Sequence, residues 1–427
     1  MSRKIGFWAV FALVTGSQIG TGVFMLPSSL APYGIASLWG WGISSLGAIA
    51  LSFVFASLCS RFPRTGGPHV YVEKAFGPSA AFFTGWTYWI ISWVSTTAVV
   101  VSSVGYLTPL IGTYSSGVYL ILEIALLAII AIINLKGVRA AGRAEFFLTF
   151  LKFIPLIILP VAALWMFDIN NFIVDSSVSS LPTSQVLSQV TLLTLWGFIG
   201  LESATTPAGA VQNPEKTIPR AVVLGTISVA ILYMINSFGV MGLIPGNVLM
   251  HSKAPYVDVA QSVFGGQWHL IVSLIASVVC IGTLNAWILT SGQIALGLAE
   301  DGFVPGFFKK KNKADAPLFG LLVSCGGIIP LLVLTSSESI SGQITAIIDF
   351  SVVAFLFVYL ICCISHIKLL IQGKEKPNFL VWFFGFIAMA FCLWVISETP
   401  LNTLLTASFF TVSGLPLYLF WYRRQRS

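Results

Sequence analysis

Apolar residues run along this chain in blocks far longer than the core helices of a soluble domain, separated by short polar stretches. Twelve such blocks stand out, near 6–30, 36–59, 80–108, 117–135, 145–167, 186–210, 219–243, 267–297, 317–335, 343–371, 378–396 and 400–422. Each is roughly 18 residues or longer, enough for a helix to cross a hydrocarbon layer about 30 Å thick. The pattern predicts an all-α membrane protein with twelve transmembrane helices and no separate soluble domain. A cleaved signal peptide is the rival reading of the first block, because Arg3 and Lys4 precede it. No A-x-A-like cleavage site follows, and the apolar pattern resumes at Val23, so a retained helix is expected.

Two of the blocks are interrupted. GSQIGTGVFMLP (16–27) puts three glycines and three polar residues inside the first span, and WGFIGLES (196–203) puts two glycines and two polar residues inside the sixth. Backbone N–H and C=O groups cannot stay unpaired against lipid, so such a break survives only where it faces protein or a water-filled cavity. Small-residue packing faces are the plainer explanation of either break alone. Two breaks five spans apart point instead to an inverted-repeat transporter. The expected organisation is one transporter domain over 1–427, with spans 1–5 in 1–167, spans 6–10 in 186–371, and spans 11 and 12 in 378–422. The half-helices that follow the breaks would then offer free N–H groups and a positive dipole end to an anion. Gly20 and Gly22 would let the backbone approach that ligand closely.

Ionisable residues within spans are costly, roughly 2.5 kcal/mol or more each unless paired or hydrated, and are therefore functional candidates. Glu202 lies six residues beyond Trp196. Burial favours its neutral form and a cationic ligand its carboxylate, so it is a candidate for exchanging a proton against substrate. Lys152 lies nine residues beyond Arg143, roughly 14 Å deeper along a helix. It must be paired, hydrated or neutral there, which makes it a second proton-carrier candidate. Asp349, in IIDFSVV, is a third acid or base inside a span, able to face a cation or pair with a neighbour.

Composition agrees with the span pattern: 56% of residues are hydrophobic and 9% charged, with a mean hydropathy of +0.91. The net charge of +7 is read better by position than by total. Arg61, Arg64, Lys74, Lys136, Arg139, Arg143, Lys216, Arg220 and Lys309–Lys311, with the basic residues near both termini, all fall on one side of a twelve-span path. By the positive-inside rule both termini are cytoplasmic, and the basic balance reflects topology and contact with the lipid bilayer, not nucleic acid. The six cysteines lack C-x-x-C spacing and the four histidines are scattered, so neither a metal site nor a cofactor is expected.

Four motifs in order, GSQIGTGVFMLP, FPRTGGPHVYVEKAFG (62–77), WGFIGLES with VQNPEKTIPRA (211–221), and LAEDGFVPGFFKKKNKADAP (298–317), resemble the amino acid/polyamine/organocation superfamily. Within it the chain resembles the basic amino acid/polyamine antiporters. The resemblance spans essentially the whole chain and implies a five-plus-five inverted repeat (LeuT-like fold) with broken helices 1 and 6 and two extra helices. It implies a substrate site at Ser17, Ile19, Gly20, Thr21, Gly22, Thr96, Trp196, Gly197, Ile199, Gly200 and Trp287. Trp196 would stack on the substrate's cationic side chain, a contact worth about 2 kcal/mol or more when desolvated. Glu202, Lys152, Tyr88, Trp89 and Asp349 fall to gating or coupling, and a lysine in span 5 argues against sodium. The resembled arginine-exchanging pattern has asparagines at the positions of Ser17 and Thr96, a serine at Gly197 and no acid at Asp349, so an arginine-specific site is not expected.

The expected activity is secondary transport by alternating access, exchanging a basic amino acid for its amine or polyamine product. Proton-coupled uptake of neutral amino acids is the alternative. A channel would want a filter repeat, and an enzyme a catalytic constellation, which the sequence lacks; a non-transporting receptor would have little use for three intramembrane ionisable groups. A small-molecule amino acid or polyamine is the expected partner, with protons and a second copy of the chain, as a homodimer, left open. A bacterial cytoplasmic (inner) membrane is the expected location.

Overall fold

A computed structural model describes residues 4–419 apart from 113, 253, 337–339 and 374–377, together with the backbone but not the side chains of 154, 155, 159, 162–164, 177 and 340–349. Among the described residues the chain is all-helical, with only isolated β-bridges. The first apolar block forms two helices, α1 (Phe7–Gln18) and α2 (Thr21–Leu30). Next come α3 (Ala36–Arg61), the short α4 (Pro68–Phe76), α5 (Pro78–Gly105), α6 (Ser116–Leu135) and α7 (Val138–Ala163). The second half holds α8 (Thr183–Leu195), α9 (Pro214–Leu243), α10 (Pro255–Phe264), α11 (Trp268–Glu300), α12 (Leu318–Thr335), α13 (Ile340–Gln372), α14 (Phe379–Ser397) and α15 (Leu401–Val412).

Ten segments among the described residues are long and apolar enough to cross a membrane. Two further expected spans correspond to α7, which runs 26 residues, and to the shorter apolar stretch Leu401–Leu417. The first, broken span is the most enclosed of the ten, with 83% of its apolar window buried, whereas the span Ser116–Leu135 has 22% buried. A polar interruption is tolerable in the first because protein, not lipid, surrounds it.

Two helices escape the hydropathy pattern because they lie between spans. α4 and α10 are short, and each begins with proline at its first position, where the missing N–H costs nothing. Gly67 (φ +74°) and Gly77 (φ +82°) bracket α4, supplying backbone angles that L side chains rarely adopt. This bracket sets the 62–67 loop beside the turn that follows α11. There Arg64 pairs with Asp301 and reaches Glu73 at 3.6 Å, and His69 Nε2 lies 3.1 Å from Asp301 Oδ2.

Burial alone would raise the Asp301 carboxyl, but His69 and Arg64 outweigh it and hold the group below its ordinary value. A carboxyl depressed by folding adds stability that is present above its unfolded value and is lost as pH falls through the folded one. Asp301→Asn is therefore expected to lower the thermal midpoint near neutral pH, with the gap to wild type closing as pH falls below about 4. A gap that persists undiminished below about pH 3 would contradict this assignment.

The sixth block departs from expectation. A half-helix was expected after the break, within 186–210; instead α8 stops at Leu195, and the chain continues as short 3₁₀ turns until Pro214. Gly200 takes φ +103°, and the Thr205 and Thr206 hydroxyls bond the carbonyls three residues back, at 2.7 Å each. Those local bonds compete with the α-helical ladder.

Candidate functional site

The two breaks meet. Ser17 Oγ, at the end of α1, donates to Gly200 O at 2.9 Å and lies 2.8 Å from Ser203 Oγ. Beside this junction is a cavity of about 20 Å³ lined by Gly20, Thr21, Gly22, Trp196, Ile199 and Trp287, with Ser17, Gln18, Ser95, Val99 and Thr283 completing the wall. That volume holds about one water. Anything larger fits only if the walls part.

The broken first span gives the cavity its polarity. The last carbonyls of α1, orphaned where the helix stops, are each satisfied by another element. Gly16 O accepts from Lys152 Nζ at 2.6 Å, Ser17 O from Trp287 Nε1 at 3.3 Å, Gln18 O from Tyr233 at 2.7 Å, and Ile19 O from the single hydroxyl proton of Thr283 at 2.6 Å. The start of α2 is different: Gly20 at its N-cap makes no side-chain cap, and Gly20, Thr21 and Gly22 line the cavity. Uncapped N–H groups at a helix start favour an anion.

Opposite polarity is also available. Gln18 Nε2 donates to Val14 O at 3.1 Å, which leaves Gln18 Oε1 buried without a hydrogen-bond partner beside the cavity. Trp196 and Trp287 supply aromatic surface. Gly22 is required under Trp196, because a Cβ there would stand 2.9 Å from Trp196 Cδ1.

Of the sequence-derived site residues, seven line the cavity: Ser17, Gly20, Thr21, Gly22, Trp196, Ile199 and Trp287. Gly200 lies just behind it, with Ser17 Oγ and Trp287 Cζ2 at 2.9 and 3.1 Å from where its Cβ would be. Three do not line it. Ile19 takes part only through its carbonyl, Thr96 turns its hydroxyl back to Ser92 O at 2.6 Å, and Gly197 packs against Tyr233 and Trp41. One residue along a helix rotates the side chain by about 100°, so the cavity sees Ser95 and Val99 and not Thr96. Trp89 likewise points away, donating from Nε1 to Ser324 Oγ at 3.1 Å and meeting Phe308 edge-on. The Asp349 side chain lies outside the described residues.

Glu202 is fully buried behind the cavity wall, where Tyr88 donates to Oε1 at 2.8 Å and Tyr359 to Oε2 at 2.5 Å. The Tyr359 hydroxyl also accepts from Gly200 N at 3.3 Å, joining the carboxylate to the second break. Its partners are thus two tyrosines and not the unwound backbone of the first span. Lys152 is fully buried beside Glu145, with Nζ 3.7 Å from Oε1. Asn285 Nδ2 donates to Glu145 Oε2 at 2.9 Å, and Thr149 Oγ1 to Oε1 at 3.1 Å. Glu145, Thr283, Asn285, Tyr359 and Gln18 were not singled out in the sequence. For Glu145 a signal existed, since seven residues before Lys152 is two helical turns on the same face.

Comparison with known proteins adds an independent line. A model of the amino acid permease family matches residues 5–421. A putrescine transporter, PotE, of Haemophilus influenzae is 30% identical over 426 residues, covering 98% of this chain and 97% of that one. PotE of Escherichia coli K12 is 27% identical over 421 residues, covering 98% and 96%. A cadaverine/lysine antiporter of the same strain is 27% identical over 400 residues, covering 92% and 89%.

Proposed function

The chain belongs to the amino acid permease family, whose members are transporters and not enzymes, and from that premise we propose that it exchanges a basic amino acid for a diamine by alternating access. The observation that carries the reading is the cavity between the breaks, which offers uncapped N–H groups at one side and the unpartnered Gln18 oxygen with two tryptophans at the other. A zwitterion with a cationic side chain suits this division. Its carboxylate would lie on the first turn of α2, its α-ammonium on Gln18 Oε1, and its distal cation over Trp196. A diamine would keep the two cationic contacts and leave the N–H groups to water.

In this reading the fold is a twelve-span, five-plus-five inverted repeat with both termini in the cytoplasm of a bacterial cell, set in its inner membrane. The relatives' names support the substrate class, since they are a putrescine transporter and a cadaverine/lysine antiporter. Glu202 would answer the charge of the occupant through Tyr359 and Gly200. A second reading, proton-coupled uptake of a neutral amino acid, is favoured by the Lys152–Glu145 pair, which touches the end of α1 through Gly16 O.

Equilibrium binding to the purified protein tests the choice. Lysine, ornithine, putrescine and cadaverine are expected to displace one another while leucine does not, and Glu202→Gln is expected to flatten the difference in affinity between pH 5.5 and pH 7.5. Displacement by leucine as effective as by lysine would move the assignment to the second reading. An unchanged pH response in Glu202→Gln would remove Glu202 from coupling.

A further inference from the structure

Where the first turns of α1 and α7 meet, a groove of about 270 Å³ opens between them, lined by none of the residues of the candidate site. Lys4, Arg139 and Arg143 line it, all three exposed, and no acidic side chain does. Among the described residues none of the three makes an ion pair. Two basic residues elsewhere are matched: Lys311 has Asp315 at 3.6 Å, and Arg64 has Asp301 and Glu73. Arg139 and Arg143 are four residues apart on α7, so they share a face and repel each other. Gly6, Ala9 and Gly142 form part of the lining, and their small size leaves the concavity open.

The groove does not end at the basic rim. It shares Trp8 and Phe146 with a second groove of about 390 Å³, which continues along the two helices and is walled by Phe11, Phe150 and Phe153. On α7 the sequence sets this out as one stripe, with Arg139 and Arg143 followed by Phe146, Phe150 and Phe153 at helical spacing. Trp8 and Phe150 stay 67% and 65% exposed. Exposed aromatics are ordinary on a lipid-facing surface. A cationic, concave head continuous with an apolar groove is not.

We propose that this double groove is a binding site for one anionic phospholipid, its phosphate held by Lys4, Arg139 and Arg143 and an acyl chain lying along Trp8, Phe11 and the α7 phenylalanines. The charge sign, the absence of acidic partners and the order of basic before apolar residues along α7 select an anionic lipid over a zwitterionic one. A tail in the second groove touches Thr149, whose hydroxyl lies within reach of Ala12 O (3.2 Å) and Glu145 Oε1 (3.1 Å). The lipid would therefore sit one side-chain layer from the Lys152 pair and brace α1 against α7.

Native mass spectrometry of the full-length protein, with phosphatidylglycerol or phosphatidylcholine added to the detergent micelle, tests the site. One phosphatidylglycerol is expected to bind in preference to phosphatidylcholine, more weakly as salt rises. Each cation near a headgroup contributes about fivefold, so Arg139→Gln with Arg143→Gln is expected to lower that affinity about 30-fold and leave phosphatidylcholine unaffected. Should the double variant fail to fold, Lys4→Gln alone, expected to cost about fivefold, serves the same purpose. Equal binding of the two lipids, no response to either variant, or competition by soluble glycerol phosphate as strong as by the lipid would overturn the proposal.

Discussion

Lys152→Met is expected to destabilise the folded protein by about 3–5 kcal/mol, the cost of removing one partner from a buried ion pair. Methionine fills most of the lysine's volume, so the loss is electrostatic. Glu145 would remain fully buried with only Asn285 and Thr149 to bond it, and Gly16 O would lose its cationic donor. The ammonium also lies against the C-terminal end of α1, where the helix dipole favours positive charge. Adding Glu145→Gln removes the stranded charge, and most of the stability is expected to return. Unfolding of detergent-solubilised protein measures both variants. If the double variant is no more stable than Lys152→Met, the pair is not the unit described here. If transport returns with stability in the double variant, Lys152 has a structural role alone.

Gly22→Val is expected to reduce transport about a hundredfold, the scale of a roughly 1 Å displacement of a positioning group, with overpacking costing only about 1–3 kcal/mol of stability. The side chain added at 22 meets the Trp196 ring at a distance no Cβ tolerates, so the ring must leave its place over the start of α2. That movement separates the aromatic face from the N–H groups, and an occupant can no longer use both. Gly326→Ala in α12 is the control, because a Cβ there meets nothing within 4 Å, and it is expected to transport normally. Initial exchange rates in proteoliposomes, normalised to inserted protein, read both. Wild-type rates in Gly22→Val would remove Trp196 from the site.

The two breaks and the residues on them were legible because a glycine or a polar residue inside an apolar run is a local anomaly with a single physical excuse, burial away from lipid. Gly20, Gly22 and Glu202 are readable in that way, and Trp196 through the resemblance. Gln18 and Thr283 were not, since polar residues are ordinary neighbours of a break and only the packing shows which atom is left free and which carbonyl is capped. Tyr359 and Asn285 arrive from α13 and α11, distant in sequence from the groups they bond. Orientation was equally hidden: Gly197 and Thr96 sit within one residue of wall-lining positions and face elsewhere. The 3₁₀ turns after Leu195 follow from Gly200 and hydroxyl-to-backbone bonds that hydropathy does not register.

Counterflow in proteoliposomes tests the exchange assignment most directly. Vesicles preloaded with unlabelled ornithine, lysine, putrescine or cadaverine are predicted to accumulate labelled lysine and labelled putrescine well above equilibrium, while empty or leucine-loaded vesicles do not. Accumulation of labelled leucine in empty vesicles on an imposed proton gradient, without stimulation by any cationic preload, would contradict exchange and make Lys152 the coupling residue.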